Sequence, residues 1–345
     1  MISLKLFSLS TQPAWAQRVG DLLGVPLSPV AIERYALGQF RIQLGEDVRG
    51  KNVCILGSTD GDTNTTYAEL EQLIAAARLS GAASIDVVIP YFGYARSDKE
   101  DYPRVPIIAR SKADILQVIG ATGVTTVNIH NPAIQGFFSI PMTMLNVTPL
   151  LLLALEEIYP RSKALTFSSP DLKGGELATP YIKHFEGSHL VSIWKKRDAR
   201  GEARIVDIVG TPKGPTVIVD DEIASGSSMV NAGKALLKKG AKEVVYVASH
   251  GIFSGSAWEK LFATNPKAII VSDTVRFQLP TTIPSGSSIR EVCIAPLIAE
   301  AISRMAPNGG GSILELDDVE YWRGWMKAHQ EFPLIQKHQT DQISQ

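Results

Sequence analysis

The sequence predicts an α/β protein with two consecutive domains, each built around a mainly parallel sheet flanked by helices. Short apolar runs rich in β-branched residues alternate with stretches of helical periodicity, and this alternation is typical of parallel βα units. The alternating series fills about 150 residues and then recurs, so the chain of 345 residues is long enough for two domains.

The predicted elements follow this alternation along the chain. In the first half, residues 1–6 resemble a first strand, followed by strands at 52–56, 85–89 and 125–129 and helices at 67–79 and 110–119. In the second half, strands are predicted near 164–168, 189–193, 217–219, 244–248 and 268–271. We therefore expect one domain over residues 1–147, a second over 148–305 and a C-terminal extension over 306–345.

The C-terminal extension combines a glycine-rich segment, an aromatic stretch and a polar end. Residues 308–312 are predicted to form a flexible joint, and residues 336–345 a mobile tail. Between them, aromatic side chains recur at helical spacing over residues 317–329. We interpret this stretch as a helix packed back on the body of the protein rather than as a ligand site.

Composition excludes several classes of protein. Hydrophobic residues make up 45% and charged residues 20% of the chain, as in folded globular proteins. The formal net charge is −1, which gives no indication of a nucleic-acid surface. The longest apolar run, 149–155, is too short to cross a bilayer, and residues 1–6 lack the features of a signal peptide, so we expect a cytoplasmic protein without a membrane partner. Cys54 and Cys293 are expected to be buried and reduced.

The most informative segment joins a buried strand to a helix through small residues. Residues 216–219 are apolar or β-branched, Asp220 and Asp221 follow at the predicted strand end, and helical spacing begins at Met229. The small residues of the intervening loop are Ala224, Ser225, Gly226, Ser227 and Ser228. Backbone amides and the helix dipole favour a phosphate at such a helix start, and carboxylates can accept hydrogen bonds from sugar hydroxyls or hold a divalent cation. The segment indicates a ribose 5-phosphate site; the alternative is an ordinary turn whose Asp and Ser residues cap the helix.

Five segments, in order, resemble motifs of one enzyme family. They are residues 90–99, His130 with 134–138, 169–171, 219–221 and 249–255. Together they resemble the ribose-phosphate diphosphokinases, which synthesise 5-phosphoribosyl 1-pyrophosphate, and the chain is identified as a divergent member of that family. The resemblance implies two tandem phosphoribosyltransferase-like domains, ATP as co-substrate, Mg²⁺ as metal, and assembly into a homo-oligomer, either a dimer or a hexamer.

The resemblance also implies roles for individual side chains on the nucleotide and sugar sides. ATP is expected to contact Tyr35, Arg96, Asp98 and Lys99, and the guanidinium fork of Arg96 suits phosphate oxygens. The acid pair and the small loop described above are expected to bind ribose 5-phosphate.

The residues expected to promote the transfer itself lie in three further segments. The resemblance implies that Lys195 and Arg197 close over the transferred group from a mobile loop, which continues through residues 198–204. It implies that His130 and Asp171 serve the metal, and we count His130 among the catalytic residues as well. The alternatives are a solvated run of charges for the loop and a structural role for His130.

Three departures from the family pattern concern the nucleotide and sugar environments. Where the family has acids that contact the nucleotide base, this chain has Leu37 and Gln39 beside Tyr35. Tyr35 can still stack on adenine, so we expect base recognition to be less strict rather than lost. Asp273 replaces an asparagine of the family pattern, and Ser97 replaces a glutamine.

These observations predict an enzyme that transfers the β,γ-pyrophosphoryl group of ATP to the anomeric hydroxyl of ribose 5-phosphate. Catalysis in such a reaction consists of positioning and of neutralising charge on the transferred group. One alternative is the same transfer to a larger 5-substituted ribose such as ADP-ribose. Another is a regulatory paralogue that binds nucleotides without turnover.

Overall fold

The computed structural model describes residues 4–11, 13–172, 174–197, 203–306 and 309–339. They divide into two compact units. The described residues of the first unit come from Met1–Asn146, Thr274–Arg276 and Ile294–Glu315. Those of the second unit come from Val147–Asp273, Phe277–Cys293 and Leu316–Gln345.

Strands and helices alternate through most of the described chain. The strands are β1 (Leu4–Ser8), β2 (Val30–Arg34), β3 (Phe40–Leu44), β4 (Asn52–Leu56), β5 (Ser84–Val88), β6 (Gly123–Val127), β7 (Met142–Leu145), β8 (Thr166–Ser168), β9 (His189–Leu190), β10 (Ser192–Arg197), β11 (Ala203–Val209), β12 (Pro215–Ile223), β13 (Glu243–Gly251), β14 (Ala268–Ser272), β15 (Ile289–Val292) and β16 (Ile335–His338). The helices are α1 (Pro13–Leu23), α2 (Thr63–Leu79), α3 (Ile108–Ile119), α4 (Thr148–Glu156), α5 (Gly175–His184), α6 (Ser227–Lys238), α7 (Ala257–Phe262), α8 (Ala295–Met305) and α9 (Val319–Ala328).

The first unit is built on a five-stranded parallel sheet in the order β1-β4-β5-β6-β7. Its core includes Phe7, Ile55, Tyr67 and Leu70, all fully buried between the sheet and its helices. Strands β2 and β3 form a separate antiparallel hairpin beside this sheet. The predicted strand at 52–56 is confirmed with the same bounds, because its apolar residues are buried on both faces of the sheet.

The second unit is built on a seven-stranded sheet in the order β16-β15-β14-β13-β12-β8-β9. All neighbouring strands are parallel except β16, which runs antiparallel to β15. A second antiparallel hairpin, β10-β11, lies outside this sheet. The predicted α/β class with two parallel-sheet units is therefore confirmed, whereas the boundaries predicted for three regions remain a prediction.

The strand predicted near 189–193 is divided in the structure between β9 and β10, which belong to different sheets. Two further sequence-based predictions need correction. Residues 336–338 are not part of a mobile tail, because they pair with β15 as the edge strand β16. Strand β12 does not end before the acid pair: its pairing with β13 continues to Ile223, so Asp220 and Asp221 lie within the strand. Both errors have the same cause, since polar residues in an edge strand or at a strand end give no apolar signal.

The aromatic stretch of the C-terminal extension forms α9, and the prediction of a packed helix is confirmed. Trp322 is fully buried and donates a hydrogen bond from its Nε1 to the carbonyl of Leu316 at 2.8 Å. Arg323 donates two hydrogen bonds to the carboxylate of Glu156 on α4, at 2.7 and 2.8 Å. This helix is therefore held to the body by an apolar contact and an ion pair.

Two further expectations concern cysteines and membranes. Cys54 and Cys293 are both buried and neither forms a disulfide, as expected. Burial is the main cause that raises the pKa of the Cys54 thiol far above its usual value. Within the described parts of the chain, no helix is long and apolar enough to span a membrane.

Candidate active site

The predicted phosphate loop lies between β12 and α6 in the second unit. The chain leaves β12 at Ile223 and turns into α6 through Gly226, whose φ of 73° is in the left-handed region that favours glycine. A Cβ atom at this position would lie 3.2 Å from a side-chain atom of Leu261 and 3.3 Å from the carbonyl oxygen of Ala257. The turn leaves the first amides of α6 without helical partners, and such amides bind anions well.

Asp220 and Asp221 lie on β12 immediately before this loop, and both are half-buried. Burial raises the pKa of Asp220 well above its ordinary value, and the negative charges of Asp221 and Asp171 raise it further. Repulsion between neighbouring carboxylates is relieved when a proton, a cation or a hydroxyl donor binds between them.

Asp171 follows β8, which pairs directly with β12. Its Oδ1 accepts a hydrogen bond from the amide of Gly174 at 3.0 Å, and the residue is exposed. Because parallel strands end at the same edge of a sheet, Asp171 lies close enough to Asp220 to raise its pKa. The structure thus brings Asp171, Asp220 and Asp221 to the edge that carries the phosphate loop.

These carboxylates fit a magnesium ion by the chemistry of their donor atoms. Mg²⁺ prefers hard oxygen ligands, and it is usually bound by one or two carboxylates together with waters and substrate phosphates. Among the described residues, no group of three or more His, Cys, Asp and Glu side chains is arranged to hold a metal by itself. A metal bound here would need further oxygen ligands, such as substrate phosphates or waters.

Lys195 lies on the hairpin β10-β11 of the same unit. The register of the two strands shifts between Trp194 and Lys195, and Lys195 is half-buried. Arg197 ends β10, but its side chain lies outside the described part of the structure, as do residues 198–202. The segment expected to be a mobile loop therefore begins on a strand.

The segment 90–99 of the first unit is fixed to the loop that follows β4. The hydroxyl of Tyr67 donates to the carbonyl of Gly93 at 2.8 Å, and the amide of Gly93 donates to Thr59 Oγ1 at 2.7 Å. A Cβ atom at position 93 would lie 2.7 Å from the carbonyl oxygen of Thr59, so only glycine fits here. Tyr94 follows with a φ of 68°, an uncommon conformation for a residue with a side chain.

Arg96, Asp98 and Lys99 differ in their surroundings. Arg96 and Lys99 are exposed, and their contact with ATP stays a prediction. Asp98 is buried, and it accepts hydrogen bonds from the side-chain amide of Asn131 and from Lys99, the latter at 3.4 Å. Burial alone would raise the pKa of Asp98, but the bond from Asn131 and the charge of Lys99 outweigh it and lower this pKa.

His130 is exposed and directly precedes Asn131. Asn131 starts a 3-10 turn: its Oδ1 accepts a hydrogen bond from the amide of Ala133 at 3.0 Å. Asp98 therefore holds the residue next to His130 in place. The structure brings Asp98 and Lys99 together with the His130 segment, and a direct contact of Asp98 with ATP remains a prediction.

Tyr35 and Leu37 lie at the tip of the hairpin β2-β3. Tyr35 is 44% exposed, and a hydrogen bond to Glu33 is the main cause that raises the pKa of its hydroxyl. Leu37 is 97% exposed and has a φ of 60°. The hairpin thus presents two apolar side chains to solvent.

Backbone strain coincides with the predicted motifs. Of the described non-glycine residues with positive φ, four lie within or next to these motifs: Leu37, Tyr94, Asn128 and Phe253. Such conformations cost energy and are concentrated at functional sites, so this distribution is consistent with a functional role of these motifs.

Two features were not predicted from the sequence. The loop after β4 is joined to residues 274–276: Ser58 Oγ donates to the carbonyl of Thr274 at 2.5 Å, and the amide of Arg276 donates to Asp60 Oδ2 at 2.9 Å. Lys260 on α7 donates a hydrogen bond to Ser227 Oγ in the phosphate loop at 3.3 Å. Both contacts join positions far apart in sequence, and no local motif signals them.

The parallel sheet with an acid pair, followed by a left-handed turn into a helix, is the α/β arrangement expected for the phosphoribosyltransferase-like class that the sequence motifs imply. Comparison with family models gives two matches. Residues 4–120 match the N-terminal domain of ribose phosphate pyrophosphokinase, and residues 189–314 match the phosphoribosyl synthetase-associated domain.

Individual relatives extend this result over most of the chain. The ribose-phosphate pyrophosphokinase of Wolinella succinogenes is 38% identical over 312 residues, which cover 89% of this chain and 97% of the relative. That of Rhizobium meliloti is 35% identical over 302 residues, covering 87% and 96% respectively. The crystal structure of phosphoribosylpyrophosphate synthetase from Mycobacterium smegmatis matches with a TM-score of 0.81 and 29% identity, covering 89% of this chain and all of that one. The chain belongs to the ribose-phosphate pyrophosphokinase family, and the enzyme class predicted from its motifs is confirmed.

Proposed function

We propose that the protein transfers the β,γ-pyrophosphoryl group of ATP to the anomeric hydroxyl of ribose 5-phosphate. The products are 5-phosphoribosyl 1-pyrophosphate and AMP. The anomeric oxygen forms a bond to the β-phosphorus, and the bond from that phosphorus to the oxygen bridging it to the α-phosphate breaks. AMP leaves with the bridging oxygen, and the hydroxyl proton is released.

The observation that carries this proposal is the half-buried acid pair on β12 directly before the turn into α6. The amides at the start of α6 would bind the 5-phosphate, and Asp220 and Asp221 would accept hydrogen bonds from ribose hydroxyls. An apolar or adenine pocket would not need two neighbouring carboxylates. Here burial, and then repulsion from Asp221, raise the pKa of Asp220.

Arg96 and Lys99 would bind the phosphates of ATP from the first unit. Both are exposed, and Lys99 is oriented by Asp98, which in turn holds Asn131 beside His130. Tyr35 would stack on the base. Lys195 and Arg197 would neutralise the charge that develops on the transferred group, the largest contribution to catalysis in reactions of this kind.

Asp171 would hold a magnesium ion beside the acid pair on β12, with phosphate oxygens and water as the other ligands. The family resemblance assigns His130 of the first unit to the metal as well. When bound, the ion would neutralise phosphate charge and orient the β-phosphorus. The open arrangement of Asp171, Asp220 and Asp221 supports this assignment, since the remaining ligands would be phosphate oxygens and water.

We further propose that the protein forms a homo-oligomer, a dimer or a hexamer. Leu37, almost fully exposed at the tip of the β2-β3 hairpin, supports this proposal because an interface between copies would remove its apolar side chain from water. Sedimentation velocity of wild type and of Leu37→Asp tests it; a monomeric wild-type protein would contradict it.

The activity is tested with purified protein, ATP and Mg²⁺, supplied with either ribose 5-phosphate or ADP-ribose. Phosphorus NMR is expected to show AMP together with a pyrophosphorylated ribose 5-phosphate. AMP release with ADP-ribose alone would replace the proposed acceptor by a larger ribose ester. Nucleotide binding without AMP release on either acceptor would instead support a regulatory role.

A further inference from the structure

Helix α7 stands directly against the phosphate loop of the second unit. The backbone of Gly226 is so close to Ala257 and Leu261 that a Cβ atom would come within 3.3 Å of both. Because α6 and α7 pack on each other, any polar side chain on the facing side of α7 is presented to the loop.

An aromatic cluster holds α7 in this position. Trp258 stacks on Phe253 with ring centroids 3.9 Å apart and on Phe262 at 5.9 Å, and Phe277 meets Phe253 edge-on at 5.0 Å. The Nε1 of Trp258 also donates to the carbonyl of Gln278 at 3.1 Å. These contacts restrict the motion of the helix and of the side chains it carries.

Lys260 extends from this helix to the loop. Its Nζ donates a hydrogen bond to Ser227 Oγ at 3.3 Å, and Ser225 Oγ contacts the same hydroxyl at 3.3 Å. An ammonium group has three donors, and Ser227 takes one of them. Lys260 as a residue is half-buried, so its interactions with the loop are less screened by water than those of a fully exposed lysine.

The charges around the loop indicate a role for Lys260 in binding an anion. Residues 220–228 contain no Lys, Arg or His, and three acids, Asp220, Asp221 and Glu222, precede the loop on β12. A phosphate monoester carries about two negative charges near neutral pH, while the start of a helix supplies only about half a positive charge. A magnesium ion held by the acids would offset their charge, whereas Lys260 reaches the loop itself and can act on the phosphate directly.

We infer that Lys260 is a substrate-binding residue that recognises the 5-phosphate of the ribose acceptor. This inference rests on the proposed function, because it takes the β12-α6 loop as the acceptor site. Lys260 contacts the acceptor and not the nucleotide, so it sets the affinity for a phosphorylated sugar without contributing to the transfer step.

The test compares Lys260→Met, which keeps the length of the side chain and removes its charge, with Lys260→Arg, which keeps the charge. Lys267→Met is the matched control, since Lys267 is exposed and lies just before β14, at the opposite edge of the sheet. For each protein, KM for ribose 5-phosphate, KM for ATP, kcat, and inhibition by inorganic phosphate competing with ribose 5-phosphate are measured.

Removal of one charged hydrogen bond is expected to raise KM for ribose 5-phosphate roughly 10- to 100-fold in Lys260→Met. The inhibition constant of inorganic phosphate should rise with it, while KM for ATP and kcat change little. Lys260→Arg should recover most of the affinity, and Lys267→Met should behave as wild type.

If the wild-type protein is active and Lys260→Met has an unchanged KM for ribose 5-phosphate, the inference is overturned and the proposed function stands. Equal increases in both KM values would also overturn it, because they would show a general structural role. A wild-type protein that releases no AMP with ribose 5-phosphate would instead refute the proposed function and this inference with it.

Discussion

Leu37→Asp combined with Gln39→Glu is expected to sharpen the preference of the enzyme for ATP over GTP. The family pattern implies acids at these two positions that contact the nucleotide base, and the chain has neither. The structure places both residues at or next to the tip of the β2-β3 hairpin, beside Tyr35. Restoring the carboxylates returns acceptors for the exocyclic amine of adenine, which guanine does not present at the same position.

The size of the effect follows from the number and kind of bonds gained. A hydrogen bond to a charged group contributes about 1.5–3 kcal/mol, so one such bond to the base changes discrimination roughly 10- to 100-fold. Within one protomer the substitution should not reduce stability, because Leu37 is 97% exposed and buries no apolar surface there. Its φ of 60° even favours the change, since aspartate tolerates the left-handed region better than leucine does. Sedimentation velocity of the double variant checks that its oligomeric state is that of the wild type.

The assay is steady-state kinetics with ATP and GTP, which gives the ratio of the two kcat/KM values for each protein. Leu37→Asn with Gln39 unchanged is the matched control, because asparagine relieves the backbone in the same way without adding charge. A ratio that stays at the wild-type value in the double variant, or rises equally in the control, would refute the reasoning. Strong ATP selectivity in the wild type would show that other groups read the base.

Three further predictions address the transfer, the acid pair and the C-terminal helix. Lys195→Ala and Arg197→Ala should each lower turnover at least about a hundredfold at an unchanged melting temperature, because each removes a charge that stabilises the transition state. Wild-type turnover in both variants would show that these residues are only part of a solvated run of charges. Asp221→Asn should weaken binding of the acceptor more than binding of ATP. Because it removes a negative charge that raises the pKa of Asp220, it should also move the pH dependence of KM for the acceptor to lower pH. An unchanged pH dependence would contradict this. Glu156→Gln should lower the free energy of unfolding in urea by about 1.5–3 kcal/mol at neutral pH. Burial opposes ionisation of Glu156, but hydrogen bonds from its Arg and His partners outweigh it and lower its pKa. This contribution is therefore present above the pKa of a glutamate in the unfolded chain and is lost as pH falls through the lowered pKa, where wild type and variant should converge.

Sequence patterns predicted the elements whose residues have a uniform environment. Strand β4 is apolar on both faces, and its bounds could be read directly from the run of apolar residues. Helix α2 begins at Thr63, four residues before the predicted start at Tyr67, because its first turn is polar and is fixed by the side chain of Asp62, which accepts from the amide of Thr65. Strand β16 was missed because its alternating polar residues lie at the edge of a sheet, where only the pairing with β15 defines them.

In the candidate site, too, local sequence patterns predicted some residues and missed those that depend on tertiary packing. The acid pair and the small loop were predicted because strand, turn and helix are adjacent in sequence, and their physical role depends on that local order. The contact of Lys260 with Ser227 could not be predicted, since it depends on the packing of α7 against α6. Likewise, the buried position of Asp98 against Asn131 depends on two loops that only the fold brings together.

The most direct test of pyrophosphoryl transfer follows the anomeric oxygen of ribose 5-phosphate. The acceptor is labelled at this atom with heavy oxygen and incubated with the wild-type enzyme, ATP and Mg²⁺ for a time short against exchange with water. Attack of the anomeric hydroxyl on the β-phosphorus predicts that the label remains in the product, between the anomeric carbon and phosphorus, and that AMP is unlabelled. Label in AMP, loss of label from the sugar product, or AMP formation without a pyrophosphorylated sugar would contradict the proposed reaction.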